Sequence, residues 1–324
     1  SLVFLSVSAS LVLNTAARFW SGGIASAGTL PIVAQSIFTL VAGKGALTDS
    51  GRDAWQRFLK KRGIAADYWH ECSFGASAAV FIGVAAVHSS LPWVATWYNG
   101  WGWQHYQNNQ LDSALGHYQT TLSLRPDYPE AEFHAGLVYE DLQQHQLAKD
   151  SYQTVVASDA SDMPLDVWLS AHNNLARMYL LDGNNRDAAP LLTRAINDVD
   201  ADRADTEAKI ALVNYNLLKN LGWVRLNQGR YREARTELNA AIAFDQDILQ
   251  TSPIQDEVIQ LAAQTPEKTA RAAAYCLLAQ VEDAQQQTAQ ADELWQQCLD
   301  NADGGNVDED EWQGVYERRE LEAA

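Results

Sequence analysis

Four places in this chain gather residues that could do chemistry, and none of them meets the spacing such chemistry needs. His70, Glu71 and Cys72 are adjacent, but consecutive helical residues point about 100° apart, so a thiolate and its base would not face one another. Gly43-Lys44-Gly45 lacks the earlier glycine and the Lys-Ser/Thr step of a phosphate-binding loop. Aligning Gly304 with the obligatory glycine of a calcium loop puts Leu299 where the first carboxylate belongs, which leaves Asp308-Glu309-Asp310-Glu311 as a solvated acidic run. The seven histidines form no His-Glu-x-x-His, and Cys72, Cys276 and Cys298 form no Cys-x-x-Cys and no disulfide framework. No catalytic, cofactor-binding or metal-binding residue is assigned, and the chain is expected not to be an enzyme.

Charge divides the chain into two unlike parts. Residues 1–94 carry seven Lys/Arg against four Asp/Glu, and the remainder carries 16 against 37, giving the net charge of −18. A surface that acidic repels phosphate, so nucleic acid is excluded as a partner. The mean hydropathy of −0.26 averages over both parts and describes neither.

The N-terminal part reads as membrane. Leu2–Trp20, Ile24–Gly43 and Ser73–Trp93 are each apolar and about the length of a bilayer span. The first carries Ser6, Ser10 and Asn14 at four-residue spacing, and the second contains Pro31 and Gln35. Gly75, Ala79 and Gly83 make a small-residue stripe on the third, predicting close contact with another helix. The intervening segment 44–72 holds Arg52, Arg57, Lys60, Lys61 and Arg62 around an apolar face of Ala54, Trp55, Phe58 and Leu59. That is an amphipathic basic helix suited to an anionic membrane surface, and the positive-inside bias makes it cytoplasmic. Three full crossings then place everything after residue 94 on the opposite side. The chain starts with Ser, as expected either of a piece with an upstream portion or of a chain whose start Met is removed.

Beyond residue 94 a pattern recurs. Gly102, Leu111, Ala114, Tyr118 and Pro126 reappear as Gly136, Ala148 and Tyr152, then as Leu175, Gly183, Ala188 and Leu192. A fourth set is Gly222, Gly229, Ala234 and Leu238, and a weaker fifth is Ala279, Ala291, Trp295 and Cys298. The marker alanines 114, 148, 188, 234 and 291 step by 34, 40, 46 and 57 residues, predicting longer helices or inserted loops at 158–168, 199–214 and 246–271. Cys276 and Cys298 fall on the two helices of the fifth set, and Cys298, at a small buried position, is expected to be a core thiol. The residue set and spacing resemble the tetratricopeptide repeat, a helix pair that buries its apolar face only by stacking on neighbours.

The expected fold is all-α, in five stretches. Residues 1–43 form two membrane helices, 44–72 a basic surface segment, and 73–94 a third membrane helix. Residues 95–305 form an α-solenoid of about five tetratricopeptide-like pairs, and 306–324 a capping helix led by Trp312, Val315 and Tyr316. The resemblance implies a concave groove lined by the first helix of each pair. Its positions here are Asn99, Trp103 and Tyr106; Phe133, Leu137 and Glu140; Asn173 and Arg177; and Lys219, Trp223 and Asn227. Aromatic and Arg side chains dominate interface energetics, so the groove is expected to hold a segment of a partner protein. The carboxylate clamp of the family's chaperone-tail readers is missing, because Trp103, Ser170 and Asn174 stand at its positions. The arrangement resembles membrane-tethered repeat proteins of cyanobacteria. It implies a scaffold, assembly factor or accessory subunit of a membrane complex, in a bacterial plasma or thylakoid membrane. The alternative is the transducing part of a signalling or defence effector whose catalytic domain lies upstream.

Overall fold

The computed structural model describes residues 2–21, 49–199, 207–251, 254–264, 271–302, 314–317 and 319, all helix or short connection with no strand among them. The chain divides into two compact units, 1–138 and 139–324.

In the first unit α1 spans Leu2–Ser21, α2 Asp49–Lys61, α3 Trp69–Gln107, α4 Leu111–Leu124 and α5 Pro129–Asp141, the last ending beyond the unit's boundary. The defining element is α3, 39 residues with Pro92 inside it, a rod of about 58 Å at 1.5 Å per residue. The border expected at 94/95 therefore falls within a continuous helix. Val94-Ala95-Thr96-Trp97 contains no breaker, and Pro92 only deprives the His88 carbonyl of its usual donor. One turn further on, the Thr96 hydroxyl donates back to the carbonyls of Pro92 (3.2 Å) and Trp93 (2.9 Å).

α1 runs in the same direction as α3. Phe4 meets Phe74 and Phe81 at ring separations of 5.5 and 5.4 Å, and further along Thr15 Oγ1 lies 3.2 Å from His88 Nδ1. At the far end Arg18 Nη1 donates to the Leu124 carbonyl at 3.0 Å, closing the C-terminal end of α4 with a cation. Three spanning helices were expected. Among the described residues only Ala66–Gln107 is long and apolar enough to cross a membrane, because the apolar part of α1 is limited to Val3–Arg18. The expected second span, 24–43, lies outside the described residues.

The pair α3/α4 closes on one glycine. A Cβ at Gly102 would stand 2.6 Å from Tyr118 Cε1, and the Tyr118 ring is fully buried. Only a missing side chain lets the helices approach that closely.

In the second unit α6 spans His145–Ala157, α7 Leu165–Leu181, α8 Asn185–Asp198, α9 Ala208–Asn227 and α10 Tyr231–Thr251. α11 spans Gln255–Gln264, α12 Arg271–Ala284 and α13 Thr288–Asn301. The wide marker spacing is taken up by α9 (20 residues), α10 (21 residues) and the extra helix α11. Gly222 repeats the device of Gly102, since a Cβ there would lie 2.5 Å from Leu238 Cγ. Two continuous cores result, one around Trp168, Leu192 and Leu217, the other around Leu238, Leu277 and Trp295. The core-thiol expectation for Cys298 is corrected: it is buried but bonded to Cys276 as a disulfide with Cα atoms 5.0 Å apart, because both face the seam between α12 and α13. Cys72 is free.

Residues 314–317 are helical, and Tyr316 packs on Trp295 with ring centroids 5.5 Å apart. Arg319 pairs with Asp283 at 2.9 Å and also with Asp292, fastening the expected end cap. Trp312 and the acidic run 308–311 lie outside the described residues.

Every helix pair turns on a left-handed residue five positions before its marker alanine. These are Asn109 (φ 56), Gln143 (φ 58), Gly183 (φ 74), Gly229 (φ 69) and Gln286 (φ 61).

Gly100 and Gly102 give a paired test within α3. Gly100 has open space around a Cβ, so Gly100→Ala is expected to stabilise by about 0.5–1 kcal/mol through helix propensity. Gly102→Ala is expected to destabilise, because overpacking costs about 1–3 kcal/mol and outweighs that gain. Thermal unfolding of the two variants beside the parent measures the opposite signs.

Candidate partner-binding face

Within the first unit, Asn99, Trp103 and Tyr106 share one face of α3 by their spacing of four and three. Asn99 Nδ2 donates to Glu130 Oε1 at 3.2 Å, and Asn99 Oδ1 accepts from His134 Nδ1 at 3.2 Å. His134 lies under Trp103 with centroids 5.1 Å apart and also meets Tyr118 and Phe133. Asn99, Tyr106 and Phe133 are buried and Leu137 is half-buried, while Trp103 keeps 38% of its surface exposed. The result is one indole held flat on a fixed imidazole, with the Glu130–Asn99–His134 chain setting its orientation. Burial, and after it the Glu130 carboxylate, push the Tyr118 phenol far above its ordinary pKa, so that hydroxyl stays protonated.

Within the second unit the expected groove residues do something else. Asn173, Arg177 and Lys219 are buried. Arg177 forms an ion pair with Glu140, whose other oxygen accepts from the Tyr152 hydroxyl at 3.0 Å. Asn174 Nδ2 donates to that hydroxyl at 3.4 Å, Asn173 Nδ2 to Asn174 Oδ1 at 3.2 Å, and Asn220 Nδ2 to Asn173 Oδ1 at 2.9 Å. This connected polar chain braces α7 against α9, and Asn173 and Arg177 serve it instead of lining an open groove. The reason is energetic: a buried cation or amide without partners costs several kcal/mol, so groups of this kind pair with one another. Trp223 is half-buried between the two cores, which accounts for most of its surface. Asn227 is exposed and donates to Asn185 Oδ1 at 3.0 Å. Of the eleven groove positions, Trp103 and Asn227 stay exposed.

The other predicted surfaces are placed as follows. On α2, Trp55 donates from Nε1 to Ser73 Oγ at 2.9 Å and Leu59 is buried, which leaves Arg57, Lys60 and Lys61 exposed. Arg62 stacks over Phe58, 5.5 Å from its ring centre. The Arg52 side chain lies outside the described residues. Gly75, Ala79 and Gly83 are exposed, and a Cβ at either glycine meets nothing within 4 Å. α1 packs instead on the side of α3 that offers Phe74 and Phe81, whose rings both meet Phe4.

Two histidine arrangements were not visible in the sequence. His105 and His117, twelve residues apart, stack at 4.9 Å, and burial, followed by repulsion from His105, holds the His117 pKa below normal. His172 is fully buried, donating from Nδ1 to the Trp168 carbonyl at 2.9 Å. Burial is the main cause lowering its pKa. Among the described residues no three metal-ligating side chains converge.

Residues 99–163 match the tetratricopeptide repeat family, a stretch that takes in the end of α3, all of α4 and the whole second helix pair. Solved structures of repeat proteins show distant likeness. YrrB, described as a tetratricopeptide protein with an unusual peptide-binding site, is 18% identical at a TM-score of 0.43, covering 63% of this chain and 84% of its own. PilF of Pseudomonas aeruginosa is 14% identical at 0.47, covering 71% and 87%. A tetratricopeptide repeat protein of Parabacteroides merdae is 14% identical at 0.37, covering 78% and 94%. No curated protein matches the chain.

His172 makes stability depend on pH. An unfolded imidazole binds a proton more readily than the buried one, so its contribution is whole above pH 6.5, the ordinary value, and is lost as pH falls below it. The loss reaches up to about 1.4 kcal/mol per pH unit. Urea midpoints taken between about pH 7.5 and 5 should fall with acid, and His172→Leu should show a lower midpoint with a shallower pH slope.

Proposed function

We propose that this protein is a membrane-tethered helical-repeat scaffold that holds partner proteins of a membrane complex and acts by binding, without turnover. The observation that carries this reading is α3. Its first half is apolar and mostly exposed apart from the side that α1 covers, and its second half is the first helix of the repeats. One element thus belongs both to a bilayer and to a protein-binding stack. Trp103, an exposed aromatic on an immobilised base, is the kind of residue that anchors a partner segment.

Sidedness follows from charge and redox. The exposed Arg57, Lys60 and Lys61 favour a cytoplasmic α2. The Cys276–Cys298 disulfide favours an oxidising compartment for the repeats, the opposite side of a bacterial plasma or thylakoid membrane.

Two measurements test the proposal. The chain should float with vesicles after carbonate extraction, and protease should remove the repeats only from the non-cytoplasmic side; cleavage from the cytoplasmic side alone refutes the topology. Trp103→Ala should weaken capture of a partner co-purified in mild detergent by about 2 kcal/mol, roughly thirtyfold, with little change in thermal stability. Undiminished capture by a folded Trp103→Ala variant moves the binding face elsewhere.

A further inference from the structure

Beyond its small-residue stripe, α3 carries three tryptophans four residues apart. Trp93 is 75% exposed, Trp97 64% and Trp101 47%. A step of four advances a helix by about 40°, so the three indoles fan over one side. Among the described residues none of their N–H groups has a hydrogen-bond partner, although Trp101 touches Tyr98 and His117 edge-on. Three large exposed indoles in a row are costly in water, and their N–H groups are equally misplaced in hydrocarbon.

The rest of α3 says where such a row belongs. Between Glu71 and Asp112 the chain has no Asp, Glu, Lys or Arg. From Phe74 to Trp93 the helix rises about 28 Å, close to the ~30 Å of bilayer hydrocarbon. Ile82, 65% exposed, sits within that interval with nothing polar beside it to explain its exposure. At the opposite end the exposed Tyr68 and Phe58 accompany exposed Lys60 and Lys61, the composition of a second water–lipid boundary. Three polar side chains in this interval are answered within the helices: His88 meets Thr15, and the Ser77 and Ser90 hydroxyls donate back to the carbonyls of Phe74 and Val87. Eighteen residues, five full turns, separate Gly75 from Trp93 and Gly83 from Trp101, so the tryptophans continue the uncovered side of the apolar half.

We infer that Trp93, Trp97 and Trp101 are the interfacial anchor of α3, seated among lipid headgroups on the repeat side of the membrane, so that the first helix pair starts at the headgroup layer with no linker. This rests on the membrane reading above and adds a depth to it. Indole suits the position because its ring displaces interfacial water while its N–H meets glycerol and phosphate oxygens. A fourth exposed indole, Trp103, points from another side of α3 and remains available to protein.

The test uses the full chain in phosphatidylcholine/phosphatidylglycerol vesicles, in a Cys72→Ser background with Cys276–Cys298 left oxidised. Single cysteines at Ile82→Cys and Thr96→Cys carry a bimane label, and quenching is compared for nitroxides placed shallow or deep on the acyl chain. The label at 82 should respond to the deep nitroxide and the label at 96 to the shallow one. Changing Trp93 and Trp97 together to Ala should shift the label at 96 away from the shallow preference, and leucine in their place should not restore it. A chain that floats with vesicles yet shows no quenching at 96 overturns the anchor, because protein then covers the tryptophans. Deep quenching at 96 overturns it too, since the indoles then lie in hydrocarbon. A chain that does not float defeats the membrane reading itself, and the depth assignment falls with it.

Discussion

At two of the described glycines there is no room for a single carbon atom, and their helix pairs depend on it. At Gly102 and Gly222 the first helix of a pair lies directly on a buried side chain of the second, Tyr118 or Leu238. That contact sets the distance between paired helices. The distance in turn decides which residues are enclosed and which look outward. Where alanine takes the place of that glycine, as at Ala176 and Ala279, the facing positions hold Leu192 and Trp295, and the cores continue through them. Close approach also explains the turns, since a short connection between closely spaced antiparallel helices reverses through one left-handed residue.

Polar residues follow from the same packing. With the helices this close, donors on the first helix of each pair have little access to water. They survive by forming connected chains: Glu130–Asn99–His134 in one unit, and Glu140–Arg177 with Tyr152, Asn174, Asn173 and Asn220 in the other. Such chains fix register more than they add stability, because a buried pair repays most of its own desolvation. Trp103 owes its partly exposed, fixed pose to one of them.

Much of this could be read from the residues alone. Alanines at 114, 148, 188, 234 and 291 announce helix pairs because only a small side chain fits at those positions, and all five pairs form. The basic face of α2 and the apolar length of α3 were legible for the same reason: both are local patterns. What escaped were properties of pairs distant in sequence. Arg177 and Glu140 are 37 residues apart, Cys276 and Cys298 22, and Arg18 reaches a carbonyl 106 residues away. Groove positions carried over from a resemblance specify direction along a helix, not whether a neighbour already occupies the space. That is why Asn173 and Arg177 proved to be braces. The continuity of α3 escaped for the opposite reason: a change of composition from apolar to mixed looks like a border, whereas a helix ends only where the backbone is forced to.

That continuity has a mechanical side. A helix of about 58 Å with no joint behaves as a lever, so a tilt of 10° at one end carries the other roughly 10 Å sideways. Such a rod yields where its ladder is weakest, and within α3 that is the turn before Pro92, where the His88 carbonyl has lost its donor. Under load α3 therefore bends first at a proline one residue ahead of the first exposed indole.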